Sequence, residues 1–82
     1  MKIIPLDASN FTDKEHSHEY ISSALHFPAH YGRNLDALAD TLSELPRDVG
    51  VIFYATADYG DYSENIIETF IDVLGDTRTM II

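Results

Sequence analysis

Apolar residues along this chain keep two different rhythms, and the changes between them mark its elements. Residues 2–6 carry Ile3, Ile4 and Leu6 in a short run that reads as a first strand, and Pro5 points to a sheet edge or to the strand's end, because proline has no N–H to give a neighbour. Helical spacing follows: Tyr20, Ile21, Ala24 and Leu25 share a face, while Asp13, Lys14, Glu15 and Glu19 fall on the solvent side. Thr12, Asp13, Lys14 and Glu15 have the form of a capping box, with Phe11 as the apolar residue ahead of it. This helix is expected to stop by Phe27, since Pro28 pushes the residue before it out of helical backbone.

After a loop at residues 28–33, a second helix is predicted to start at Asn34. Its side-chain oxygen can accept a backbone N–H that the first turn leaves without a partner, and Gly32 lets the chain turn just before it. At about 100° per residue, Leu35, Leu38 and Leu42 form an apolar stripe with Ala39 beside it. Asp36, Asp40 and Glu44, four apart, fall on another side. Like charges at this spacing cost a helix a few tenths of a kcal/mol per pair. The helix should end near Glu44 or Leu45, with Pro46 and Asp48 as breakers. Residues 49–54 are a nearly continuous apolar run, which suggests a strand covered on both faces, weakened slightly by Gly50. A polar link at residues 58–62 leads to a last helix capped by Asp61 or Ser63. Ile66, Ile67, Phe70, Ile71, Val73 and Leu74 make its buried face, and Gly75 ends it. Residues 79–82 form a third strand. Strands separated by helices favour parallel pairing, so the expected fold is α/β, a three-stranded parallel sheet packed against helices in a single domain spanning residues 1–82.

Composition narrows the function. The 82 residues contain no cysteine, which excludes disulfides and cysteine-based metal centres. No apolar run approaches the roughly 18 residues that suggest a membrane span, and the N-terminal run is too short for a signal peptide, so a cytoplasmic location is expected. Fourteen acidic residues against five basic ones give a net charge of −9 at pH 7. Such a surface disfavours direct binding to nucleic acid or to a membrane, and it speeds association with a strongly basic protein. Charge on this scale also serves solubility alone.

No complete catalytic constellation is present. Asp36 and Asp40 lie one helical turn apart, with His26 and His30 just upstream, so a metal-dependent hydrolase using these four is one alternative. His16 and His18, two apart on a helix, point in different directions and cannot share a metal. There is no glycine-flanked serine elbow and no glycine-rich phosphate loop, and the expectation is a protein that is not an enzyme and takes no cofactor, metal or small-molecule substrate. The positive reading is recognition: carboxylates on a rigid helix, edged by His30 and Tyr31, can hold guanidinium groups bidentately and enter a basic nuclease cleft as a phosphate mimic. A non-catalytic module binding some other basic protein is the alternative that keeps the fold.

The run Tyr31-Gly32-x-Asn34-Leu35-Asp36-Ala37-Leu38-x-Asp40-x-Leu42, shortly after Pro28, resembles the signature of the barstar family of ribonuclease inhibitors. The order of elements is similar over nearly the full length. The resemblance implies a barstar-like fold and a cytoplasmic inhibitor that blocks a barnase-like ribonuclease one-to-one, an immunity or antitoxin role. It implies that Asp40 is the main anchor, against arginines and a histidine of the nuclease, and that Asp36 meets a second basic group. Tyr31 and Asn34 belong to the motif. Ser43, Glu44 and Leu45 fall where the helix end touches the partner, and Asp76 falls near a further acidic contact. Two positions depart from the pattern: His30 stands where the family has an aromatic residue, and Ala39 where it has a tryptophan.

Overall fold

The computed structural model describes residues 1–55 and 62–82. Strands β1 (Lys2–Asp7), β2 (Val49–Tyr54) and β3 (Thr79–Ile81) form one sheet in the order β1-β2-β3, and both pairings are parallel. Helices α1 (Lys14–Leu25) and α2 (Leu35–Ser43) lie in the chain between β1 and β2, and α3 (Ser63–Leu74) lies between β2 and β3. The α/β order with a three-stranded parallel sheet is the one expected from the sequence. β1 is an edge strand, which is where Pro5 is tolerated.

The register sets the core. Ile4 pairs with Val51, Leu6 with Phe53 and Val51 with Thr79, so these residues share a face of the sheet. Leu6, Val51 and Phe53 are fully buried there, together with Phe11, Ile21, Leu38, Leu42, Ile66 and Phe70 from the surrounding elements. Phe53 is the hub of the aromatic packing: its ring meets Phe70 edge-on at 5.1 Å and Phe11 at 5.9 Å. The other face of β2 differs from the expectation of cover on both sides. Among the described residues Ile52 is half-buried and Tyr54 exposed, as is Ile3 on β1. A continuous apolar run therefore hides a strand buried fully on one face only.

The N-terminal caps of α1 and α3 depart from the sequence reading, while their C-terminal stops agree with it. Asp13, not Thr12, caps α1: its carboxylate accepts the His16 N–H at 2.7 Å and approaches the His16 ring nitrogen at 3.1 Å. A charged acceptor at a helix N-terminus is favoured by the exposed N–H groups and the dipole, and it outcompetes the neighbouring threonine. The helix closes on His26 in left-handed backbone, φ 57°, two residues before Pro28. Ser63 does not cap α3. Tyr62 takes the cap position without a side-chain hydrogen bond, while Ser63 is buried and donates from Oγ to the Ala8 carbonyl at 3.3 Å. Asp61, the other cap candidate, and the link at 58–61 lie outside the described residues. Gly75 ends α3 with φ 82°, where L side chains are strained.

Gly50 has a use that periodicity could not show. A Cβ there would lie 3.0 Å from the Arg78 backbone oxygen and 3.2 Å from both Ile3 Cδ1 and Met1 Sδ. Overpacking at such a site costs about 1–3 kcal/mol. Gly50→Val is therefore expected to lower the unfolding free energy by an amount in this range in urea titration, although valine suits strands better than glycine.

Candidate functional site

The second helix is locked to the loop that precedes it by one side chain. Asn34 Oδ1 accepts the Ala37 N–H at 2.7 Å, and Asn34 Nδ2 donates to the Gly32 carbonyl at 3.2 Å. The turn is made by Arg33, with φ 56°, rather than by Gly32 as expected. Left-handed backbone costs a non-glycine residue roughly 1–2 kcal/mol. Gly32 is needed for space instead, because a Cβ on it would lie 3.1 Å from the Ala37 Cβ.

From this start α2 presents two sides. Leu38 and Leu42 are buried and Leu35 and Ala39 half-buried, while Asp36, Asp40 and Glu44 are all exposed. Among the described residues no ion pair engages any of these three carboxylates; the ion pair that is present joins His16 and Asp13. Two like charges on a nine-residue helix, and a third on the residue that caps its end, thus remain available to a partner.

His30, Tyr31, Asp40 and Glu44 line one shallow cleft of about 250 Å³, between the loop and the helix, with Pro28 and Gly32 on its loop side. Asp36, Asn34 and Ala39 do not line it. Ser43 and Leu45 face a separate cavity of about 540 Å³ at the far end of α2, which Thr77, next to the exposed Asp76, also lines. Ser43 Oγ is spent on the Asp40 carbonyl at 2.6 Å. The residues singled out in the sequence therefore occupy three neighbouring places along α2: the cleft, the exposed side with Asp36, and the cavity at the helix end. Among the described residues no three of His, Asp and Glu converge so as to hold a metal ion, and the hydrolase alternative built on His26, His30, Asp36 and Asp40 has no geometry behind it. No helix among them is long and apolar enough to cross a membrane.

The family model for barstar, the barnase inhibitor, matches residues 1–81. The chain belongs to the barstar family. It is also similar to a protein of Bacillus subtilis (strain 168) named "Putative ribonuclease inhibitor YrdF", with 33% identity over 73 residues, which cover 83% of this chain and 80% of that protein. The barstar family is one of inhibitors, not of enzymes.

Behind the face of this barstar-family chain lies a contact that sequence reasoning missed. Tyr31, expected at the margin of the face, is buried to 7% exposure, and its hydroxyl lies 2.6 Å from Nδ1 of the fully buried His18. The other ring nitrogen of His18 is 3.2 Å from the Tyr62 hydroxyl. One imidazole thus joins α1, the loop before α2 and the start of α3. The Tyr31 ring also packs against Phe27 at 4.9 Å, so this side chain positions the loop more than it offers surface. The usable signal was its helical phase: His18 lies three residues before Ile21 and seven before Leu25, on the buried side.

Burial holds the His18 imidazole below its ordinary value, and the Lys14 charge adds to the effect. Burial likewise raises both phenols, Tyr31 and Tyr62, so they stay protonated. Above about pH 6.5 the imidazole is neutral in both folded and unfolded chains, and the full contribution is present. Below that pH the unfolded chain takes up a proton that the folded chain resists, so stability falls by up to about 1.4 kcal/mol per pH unit. His16, raised by Asp13, works in the opposite sense, but the pair is exposed and screened. Urea unfolding from pH 8 to pH 5 is expected to show a midpoint that drops through this window, with a flatter profile in His18→Gln.

Proposed function

We propose that this protein is a cytoplasmic inhibitor of a barnase-like ribonuclease, binding one-to-one and serving as the immunity or antitoxin partner of that enzyme. The observation that carries the reading is the row Asp36, Asp40 and Glu44, which no ion pair engages among the described residues, set along and at the end of a helix whose first turn is pinned by Asn34. A ribonuclease active site gathers Arg, Lys and His to hold phosphates, and carboxylates at fixed spacing satisfy the same groups without offering a bond to cleave. In this reading Asp40, in the cleft with His30 and Glu44, takes the central cation, and Asp36 takes a second one. Ser43, Glu44 and Leu45 meet the enzyme at the helix end, with Asp76 beyond them.

Membership in a family named for barnase inhibition, and a relative named as a ribonuclease inhibitor, support the same partner class. The net charge of −9 adds long-range attraction to a basic enzyme. The like-charge repulsion within the row is relieved when cations arrive, so binding recovers a small cost carried by the free protein.

Calorimetry with barnase as the probe tests the proposal, alongside an RNA-cleavage assay. Breaking a buried charge pair by removing one member costs about 3–5 kcal/mol. Asp40→Ala is therefore expected to weaken binding by roughly 100-fold or more and to release ribonuclease activity. The exposed site and alanine's helix preference leave the fold intact. Unchanged affinity in this variant would move the contact off α2, and the absence of any binding would overturn the proposal. Binding to other basic proteins without inhibition of cleavage would favour a general interaction module.

A further inference from the structure

The cavity at the far end of α2 gathers basic side chains on an otherwise acidic molecule. Its walls include Leu42, Ser43, Leu45, Arg47, Thr77 and Arg78, and among the described residues no carboxylate lines it. In a chain with five basic residues and fourteen acidic ones, two of the five meet in one place. The two arginines differ in what they do. Arg78 is a structural tie, donating from Nε to the Val49 carbonyl and from Nη2 to the Pro46 carbonyl, both at 2.9 Å, so it fixes the loop that carries Arg47. Arg47 is exposed, and no hydrogen bond or ion pair engages its side chain among the described residues.

This cavity is separate from the cleft on the acidic face but adjoins it along the chain. Leu42 and Ser43 belong to α2 itself, and Glu44, which lines the first cleft, sits between Ser43 and Leu45 of the second. A protein docked along the helix and over its C-terminal end therefore meets the carboxylates and also the Arg47 guanidinium, which shares its cavity with Leu42 and Leu45. Apolar walls around a guanidinium suit the stem and head of an aspartate or glutamate, because the stem packs while the head pairs in a forked geometry with the arginine.

We infer that the cavity holding Arg47 receives an acidic side chain of the inhibited ribonuclease, and that it sorts one ribonuclease from another. The inference rests on the inhibitor reading above and adds to it a requirement on the partner. An acidic helix alone attracts any basic cleft. A basic pocket beside it rejects an enzyme that places Lys or Arg there and leaves an enzyme with an apolar residue unrewarded, so discrimination comes from a repulsive element as well as an attractive one.

The sign of one substitution separates this from general charge attraction. Barnase is titrated calorimetrically with the full chain and with Arg47→Ala, Arg47→Glu and Asp40→Ala, and each barnase Asp and Glu is then reversed to Lys against Arg47→Glu. The pocket predicts that Arg47→Glu weakens binding by tenfold or more and Arg47→Ala by less, and that one of the Lys reversals restores the affinity. Long-range attraction alone predicts that Arg47→Glu binds a basic enzyme more tightly, because it makes the inhibitor more acidic. Equal or tighter binding by Arg47→Glu, with Asp40→Ala weakened, overturns the pocket and leaves the inhibitor reading standing. Weakening that no reversal rescues overturns the carboxylate assignment. Failure of the unaltered chain to bind or inhibit barnase and other barnase-like ribonucleases overturns the inhibitor reading, and the pocket falls with it.

Discussion

One buried imidazole ties together the parts of this molecule that must not move relative to one another. His18 reaches Tyr31 on one side and Tyr62 on the other, so the first helix holds both the loop that launches α2 and the first turn of α3. Both ring nitrogens have partners, and no described buried side-chain polar atom is left without one. In a domain of this size a hydrogen-bonded polar group inside the core contributes uniqueness of packing more than net free energy. The rings around it, Tyr31 at 5.7 Å and Tyr62 at 5.6 Å, keep the site tightly filled.

From this tie the geometry of the acidic face follows. Tyr31 fixes the loop, Arg33 turns it in left-handed backbone, and Asn34 both caps the helix and holds the Gly32 carbonyl. The strain at Arg33 and the repulsion along Asp36, Asp40 and Glu44 are small costs set against the burial of Leu38 and Leu42 beneath them. A row of like charges is tolerable because its backing is rigid and its solvent side is open. Rigid backing also suits recognition, since carboxylates already in position lose little freedom when a partner arrives.

The far end of the same helix is built differently. There the chain leaves α2 through Pro46, and Arg78 reaches from the α3–β3 turn to hold the Pro46 and Val49 carbonyls. The same turn approaches Gly50 so closely that a side chain has no room. One arginine and one glycine, neither of which stands out in composition, thus tie the loop after α2 to the turn before β3.

Periodicity and turn chemistry alone determined much of this protein. They placed three strands and three helices in the right order, the Asn34 start of α2, the Gly75 stop of α3 and the leucine stripe, because these depend on contacts within a few residues of one another. The resemblance carried by Tyr31 to Leu42 led to the family in the same way, from a short contiguous run. Other features depended on distant parts of the chain meeting. Asp13 displaced Thr12 as the cap, Ser63 turned inward to the Ala8 carbonyl, Gly50 answered to Arg78, and one face of β2 stayed partly open. His18 and Tyr31, thirteen residues apart, became partners across two elements, and Arg47 and Arg78 came together in one cavity. Local spacing reports which face a residue occupies. Only the packed structure decides what lies opposite that face, because the free energy of a buried contact depends on the groups that meet there and not on their separation along the chain.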